Sequence, residues 1–261
     1  MPATVTELAI APVKGLRVAA MDEVEIGPTG AVGDRAFLVV DADASLLLTA
    51  RTPALLQVAA HWEDDVLALT FPDGRAVAAV PEPGARAETA NYEGRRIAGR
   101  LVDGELSEAL SEHLQRPVRL LARDATDQGA DDAPVTLMSC ASLAALAPAL
   151  DGVVPDARRF RMTITIDGVD AWEEHQWGGR ELAVGDAVLR VTEPVPRCVV
   201  TTRDPERGRR DVPTLKALAE LRGKDDVTFG VWCEVAAPGR VRVGDTVGYG
   251  RTALGSRSSV S

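Results

Sequence analysis

The sequence predicts a mainly β protein with some α, an α+β chain whose strands close into barrel-like units. Three observations lead there. Short runs alternating apolar and polar residues recur along most of the 261 residues. Only three stretches carry apolar residues at helical spacing. Val-Gly-Asp returns three times between strand-like runs, at Val32-Gly33-Asp34, Val184-Gly185-Asp186 and Val243-Gly244-Asp245, as repeated turn chemistry rather than a sequence repeat. Many short strands with few helices is the pattern of closed β architectures.

In order, strands are expected at Glu7 to Ile10, Val18 to Ile26, and Ala36 to Val40 turning through Asp41-Ala42-Asp43-Ala44 into Leu46 to Thr49. Leu56 to Trp62, Val66 to Phe71 and, after the turn Pro72-Asp73-Gly74, Ala76 to Val80 continue this hairpin-rich layer. Leu106, Ala109, Leu110, His113 and Leu114 share a helical face, so a short amphipathic helix closes the region. His113 has no partner at ligand spacing and reads as packed or surface. Asp124 to Pro134 is acidic, small and unperiodic, which divides the chain into residues 1–123 and 124–250. A helix follows from Ser142 to Leu150, capped by Ser139 or Ser142. Next, Phe160, Met162, Ile164 and Ile166 alternate with Arg161, Thr163, Thr165 and Asp167. That strand puts Arg161 and Thr163 together on the face opposite the core. Strands at Glu181 to Val184, Ala187 to Val191, Val199 to Thr202, Phe229 to Val235, Val241 to Val243 and Thr246 to Tyr249, with a helix from Pro213 to Leu221, complete the pattern. Residues 251–261 read as a disordered tail.

The composition, 46% hydrophobic and 26% charged, is that of a globular chain able to bury a core. A formal charge of −10 repels phosphate backbones and argues against nucleic-acid binding, so any anionic ligand needs a local Arg and Lys cluster. Cys140, Cys198 and Cys233 are odd in number and far apart. They make neither a disulfide framework nor a CxxC metal site, and fit a reducing compartment. The N-terminus lacks a charged start followed by a long apolar run, and no stretch is apolar enough to span a bilayer. Cytoplasm, with no membrane partner, is the expectation.

The chemistry concentrates at Arg197-Cys198. Pro194 and Pro196 break any regular ladder before it, so Cys198 follows a rigid bend. The neighbouring guanidinium favours the thiolate, which attacks electrophiles or binds metal; the alternative is a small core residue. Ordinary thiol catalysis needs a base, and no His adjoins Cys198. One thiolate is too few for a structural zinc site, so a metal here would bring its other ligands with a cofactor. No GxGxxG, Walker A, GxSxG or HExxH pattern occurs. Glu173-Glu174-His175, between Trp172 and Trp177, reads as a solvated turn. Asp204-Pro205 reads as turn chemistry, with orientation of the Cys198 loop as the alternative.

Pro12-Val13-Lys14-Gly15, Gly33-Asp34-Arg35, Arg161, Arg197-Cys198 with Thr201-Thr202 and Asp204-Pro205, Phe229-Gly230, and Pro238-Gly239 leading into Val243-Gly244-Asp245 occur in that order. From Val5 to Gly248 the set resembles the MOSC family, named for the C-terminal domain of molybdenum-cofactor sulfurases. Within it, the chain is most similar to the branch of the mitochondrial amidoxime-reducing component and its bacterial relatives. The resemblance implies a MOSC β-barrel domain packed with a strand-rich N-terminal β-barrel-like domain. It implies a molybdenum cofactor, Mo-molybdopterin, with Cys198 as catalytic residue and sole protein ligand to the metal. Lys14, Arg35, Arg161, Thr163 and Arg197 are implied as cofactor-binding, since the pterin phosphate calls for guanidinium forks and ammonium charges. No NAD, zinc or pyridoxal cofactor is expected. The implied activity is reduction of N-hydroxylated or N-oxygenated compounds such as hydroxylamines, amidoximes or hydroxylaminopurines. The alternatives are a non-catalytic carrier of the cofactor or its sulfur, and a metal-free binding module.

Three departures stand out. Met162-Thr163 replaces a frequent Pro-Asn, Val195-Pro196 a frequent Ser or Cys pair, and Gly15 a frequent Ser. With one candidate redox centre and no four-cysteine cluster, haem or dinucleotide motif, electrons are expected from a separate donor protein, a ferredoxin or a reductase.

Overall fold

The computed structural model describes residues 2–124 and 133–249. Most of the expected boundary stretch, and the tail expected at 251–261, lie outside the described residues. Among the described residues strand accounts for 44% and helix for 18%, which bears out the mainly β, α+β class. In the first half the strands are β1 (Ala3–Ile10), β2 (Ala19–Met21), β3 (Glu23–Gly27), β4 (Gly30–Ala31), β5 (Phe37–Asp41), β6 (Ala59–Glu63), β7 (Val66–Thr70), β8 (Ala76–Ala79), β9 (Glu82–Ala90), β10 (Arg96–Asp103) and β11 (Val118–Arg123). The second half adds β12 (Val135–Ser139), β13 (Ile164–Asp167), β14 (Glu181–Val184), β15 (Ala187–Pro196), β16 (Thr228–Ala237), β17 (Gly239–Arg242) and β18 (Thr246–Tyr249). The α-helices are α1 (Glu105–Leu114), α2 (Cys140–Ala144) and α3 (Thr214–Arg222).

Seven strands close a barrel in the order β13-β12-β16-β15-β14-β18-β1, with β1 pairing back onto β13. The first strand of the chain is therefore a stave among strands from its second half. Val5, Leu8, Ile10, Leu137, Ile164, Ile166, Leu189 and Val231 fill the interior. Along β1 the alternation changes phase between Val5 and Glu7, where the register with β13 shifts. A bulge of this kind hides the strand's start from a period-two reading. β3 also crosses over, pairing with β17 from Ile26 opposite Gly239 to Glu23 opposite Arg242.

β2 pairs with β1 and β4 with β3, and the other strands of the first half form the sheets β5-β11-β10-β9 and β6-β7-β8. With α1 they enclose a second core around Phe37, Val39, Leu55, Leu67, Leu69, Leu106 and Leu110. His113 packs there, its Nε2 3.1 Å from Ala54 O and its ring beside Phe71. The glycines of all three Val-Gly-Asp turns take positive φ, +85° at Gly33, +55° at Gly185 and +93° at Gly244, the conformation that makes glycine the residue of choice.

Several expectations are corrected. Val199–Thr202 is a 3₁₀ turn, not a strand. Leu46 makes only an isolated bridge to Val40. The helix expected to reach Leu150 ends at Ala144 and resumes as the 3₁₀ turn Ala147–Ala149, because Pro148 has no N–H to continue it. β9 and β10, with sequences EPGARAETA and RIAGRLVD, were not predicted. Rich in Ala, Gly and charge, they owe their strand form to their partners rather than to propensity.

Gly230 tests how tightly the barrel wall is built. At φ +65°, a Cβ there would lie 2.7 Å from Leu137 O and 2.5 Å from Met162 Cε, whereas at Gly74, φ +88°, it would meet nothing within 4 Å. Gly230→Ala should lose about 1–3 kcal/mol more than Gly74→Ala in denaturant unfolding, the cost of overpacking added to a shared backbone strain. Equal losses would contradict this packing.

Candidate functional site

Because β1 sits in the barrel while β5 begins the second core, the chain must cross between them at Ala11–Leu16 and again at Val32–Ala36. The two crossings lock together. Arg35 N–H donates to Ala11 O at 2.8 Å, Phe37 N–H to Pro12 O at 3.0 Å, and Lys14 N–H to Phe37 O at 2.7 Å. Asp34 Oδ1 accepts from Ala11 N–H at 2.7 Å, and its other oxygen holds the Arg35 guanidinium. Gly15 turns at φ +91° with its would-be Cβ 3.0 Å from Thr49 Oγ1 and 3.1 Å from Leu55 Cδ1, which explains why no larger residue stands there.

Arg161 reaches this crossing from the second half. Its Nη1 donates to Leu16 O at 2.7 Å, and its carbonyl faces Arg35 Nη2 at 3.4 Å. The expected strand at Phe160 to Ile166 is corrected: Phe160 ends a 3₁₀ turn, Arg161 follows it in left-handed conformation at φ +55°, and the strand starts only at Ile164. Arg161 and Thr163 therefore do not share a strand face. Burial, with the Arg35 charge beside it, pushes the Arg161 guanidinium down to about 9, opposed by Asp34 and Cys198. It still carries its charge at neutral pH, in surroundings short of counter-charge.

Cys198 is exposed and opens the 3₁₀ turn Val199–Thr202. Its carbonyl accepts from Thr201 N–H at 3.2 Å and Thr201 Oγ1 at 3.1 Å, and that hydroxyl is 2.8 Å from Thr214 Oγ1 at the start of α3. The other cysteines differ: burial pushes the Cys233 thiol up to about 12, and Cys140 is half-buried with its sulfur 3.5 Å from Thr6 Oγ1. Arg35 and Arg161 thus meet at the crossing, Arg161 feels the Cys198 thiol electrostatically, and Lys14 lies in the same crossing, partly buried.

Two expected ligands have other duties. Arg197 turns inward: Nε and Nη2 donate to Phe229 O at 2.9 and 2.5 Å, Nη1 to Phe160 O at 3.0 Å, and Nη2 also faces Met162 Sδ. Its guanidinium lies 5.6 Å from the Phe160 ring centre and is pushed by burial down to about 9. A fork spent on these carbonyls is not offered to a phosphate, so Arg197 is a positioning residue for Cys198 and the Arg161 turn. Thr163 is buried, its hydroxyl 3.2 Å from Thr136 Oγ1 and its N–H donating to the same atom at 2.9 Å. Asp204 caps its own turn, accepting from the N–H groups of Glu206 and Arg207 at 2.9 and 2.6 Å.

The solvated-turn reading of Glu173-Glu174-His175 is also corrected. Glu174 is fully buried and takes hydrogen bonds from Ser142 Oγ at 2.8 Å, Ser139 Oγ at 3.1 Å and Ser139 N–H at 3.3 Å. Burial pushes its carboxyl up, against these donors. Both His175 ring nitrogens are buried without a protein partner, and burial, then the Arg222 charge, pushes the ring down to about 4. The Ser139–Ser142 spacing announced the helix cap, but a carboxylate more than thirty residues away in sequence carried no signal.

A cleft of about 450 Å³ opens elsewhere, lined by Glu7, Ala9, Met21, Asp22, Asp156 and Arg158 among others. Its lining includes neither Cys198 nor Arg161. Among the described residues no three His, Cys, Asp or Glu converge as a metal site.

A two-part β protein with an exposed thiol and a guanidinium at the junction is the class that this geometry defines. The chain belongs to the MOSC-domain family: the MOSC N-terminal beta barrel domain matches residues 2–117 and the MOSC domain residues 124–248. Among curated proteins it is 27% identical to mitochondrial amidoxime reducing component 2 of Bos taurus and 28% identical to mitochondrial amidoxime-reducing component 1 of Homo sapiens. Each match covers 94% of this chain and 82% of the relative. It is 26% identical to molybdenum cofactor sulfurase of Caenorhabditis elegans, over 88% of this chain and 33% of that protein.

Two outcomes test the local geometry. Arg197→Met strands two carbonyls that it now satisfies and should cost about 2–4 kcal/mol of stability, read by urea unfolding; a loss below about 0.5 kcal/mol would refute the pin, since that is the scale of an ordinary surface change. His175 binds its proton less readily when folded (about 4, against 6.5 ordinarily), so stability falls as pH drops through that window. Glu174, pushed up, takes a proton sooner in the folded state and opposes part of that loss. Melting temperatures between pH 7 and pH 4 should therefore decline less steeply in His175→Phe than in the wild type.

Proposed function

We propose that this chain holds a molybdenum cofactor at Cys198 and reduces N-hydroxylated compounds such as hydroxylamines and amidoximes. The observation that carries the reading is the exposed Cys198 thiol near Arg161, a half-buried cation that spends one donor on Leu16 O and has the Arg35 charge beside it. The residues fit the group: a lone thiolate suits a metal whose other ligands arrive with its cofactor, and Arg161 with Arg35 and Lys14 suits an anionic phosphate. The names of the amidoxime-reducing relatives point to the same substrate class. Location in the cytoplasm belongs to this reading.

In this mechanism Cys198 is the one protein ligand. Arg197 fixes the turn that carries it by tying Phe160 and Phe229. Arg161, braced on Leu16, and Arg35, braced on Asp34, orient the anionic end of the cofactor from two different segments. A cofactor held by these residues would supply two-electron oxygen-transfer chemistry. Reduction of a hydroxylamine to an amine breaks the N–O bond, consumes two electrons and two protons and releases water. An external donor provides the electrons. The match to molybdenum cofactor sulfurase favours a second reading, a carrier of the cofactor or its sulfur.

Protein made in a host that synthesises the cofactor should contain molybdenum and reduce a hydroxylamine with a chemically reduced viologen dye, but not with NADH alone. Cys198→Ala should lose both metal and turnover while keeping the wild-type melting temperature. Full turnover in Cys198→Ala would end the proposal, and bound molybdenum without turnover in the wild type would favour the carrier.

A further inference from the structure

We infer that Arg51, Arg207, Arg209 and Arg210 form a docking surface for an acidic one-electron carrier protein, an inference that rests on the reductive reading above. The loop at residues 203–211 leaves the 3₁₀ turn that begins after Cys198. Four residues at about 2 Å rise each keep its start close to the thiol.

The loop's carboxylates are spent locally. Asp204 caps the turn. Glu206 accepts from Arg158 Nη1 at 2.9 Å, and Asp211 takes both arms of the Arg159 fork at 2.7 and 2.9 Å. Arg203 is held by Gly208 O and Ala50 O at 2.9 and 3.2 Å. Arg207, Arg209 and Arg210 are exposed, as is Arg51 on the segment that Arg203 grips. None of these four has a carboxylate within ion-pair distance among the described residues. A chain of net charge −10 thus presents a local positive face on the loop that follows its thiol.

That face is preformed. Gly208, φ +71°, packs so closely on Pro53 that a Cβ would lie 2.3 Å from the Pro53 carbonyl oxygen. Gln57 Nε2 donates to Arg207 O at 3.1 Å, and Asp204 N–H to Arg209 O at 2.8 Å. These contacts use main-chain atoms of the loop, so the arginine side chains are not needed to hold it. Fixed charges lose little freedom on docking. Exposed charges act over a Debye length of about 8 Å at physiological salt, so the patch attracts an acidic surface at contact while the net charge disfavours polyanions at long range. A membrane is the poorer match, because Pro205, the loop's only apolar side chain, is buried, and interfacial binding needs apolar side chains to insert. Two carriers each giving one electron would complete the balance set out above.

The test uses the cofactor-loaded protein and an acidic plant-type ferredoxin kept reduced by its NADPH-dependent reductase. Turnover of the wild type with ferredoxin should fall about tenfold or more as salt rises, and Arg207→Glu with Arg209→Glu should lower kcat/KM for ferredoxin by a similar factor, the scale of electrostatic steering. The viologen-driven rate should stay unchanged in that variant, and Arg207→Gln with Arg209→Gln should fall between. Equal ferredoxin turnover in all three proteins, or wild type served by viologen but not by ferredoxin, overturns the surface. Salt-sensitive binding to anionic phosphatidylserine vesicles that the Glu variant loses, with ferredoxin turnover intact, overturns it in favour of a membrane. If the wild type fails with viologen, the reductive reading fails, and the salt-dependent Kd for ferredoxin still judges the surface on its own.

Discussion

Closure of the barrel by β1 against β13 is the constraint on which the rest depends. Thr4 opposite Asp167 and Leu8 opposite Ile164 place the first ten residues among strands that follow residue 134. The chain has to leave this barrel, build a second core and return. Each passage runs across the same junction, so backbone from distant parts of the sequence is forced together there. Ala11, Pro12, Asp34, Arg35 and Phe37 satisfy one another's hydrogen bonds, and Arg161 joins them through Leu16. Buried backbone groups must find partners. At this junction that requirement also assembles the cations.

Arg161 and Arg197 show how neighbours decide the role of one residue type. Both are half-buried, and the loss of water around the guanidinium weakens the hold on the proton in both. Around Arg197 the carbonyls of Phe160 and Phe229 accept from all three guanidinium nitrogens, so the charge becomes a clasp. Around Arg161 one carbonyl takes one donor, and Arg35 adds a like charge. A planar fork of five donors can serve either end. What differs is the supply of acceptors, which depends on the Phe160–Met162 turn and on β16.

The class of fold was legible because alternation and turn glycines are local signals, and the three Val-Gly-Asp turns behave alike. Cys198 was legible through its sequence neighbours. The strands β9 and β10 were not, since their residues have little intrinsic preference and the pairing partner supplies the order. Nor was the burial of Glu174, whose donors at Ser139 and Ser142 lie on another element. The inward course of Arg197 was not legible for a related reason: adjacency to Cys198 in sequence says nothing about the direction of a long side chain. β15 ends at Pro196, and past it the arginine turns inward to the carbonyls of Phe160 and Phe229.

Two of the left-handed residues lie at the junction where the chemistry is placed. Arg35 at φ +49° and Arg161 at φ +55° are left-handed without being glycine, and Gly15, Gly33 and Gly230 near them are also positive. For an L-residue that conformation costs roughly 1–2 kcal/mol. The cost is borne because the same backbone groups are tied: Arg35 N–H to Ala11 O at 2.8 Å, Arg161 N–H to Arg158 O at 3.2 Å. A relaxed strand at Phe160 to Ile166 would have sent Arg161 along a sheet face. The left-handed turn sends it to Leu16 instead, across the junction. Strain that persists only where surrounding contacts over-determine it marks a site kept in a fixed arrangement, and here it fixes Arg35 against Asp34 and Arg161 against Leu16.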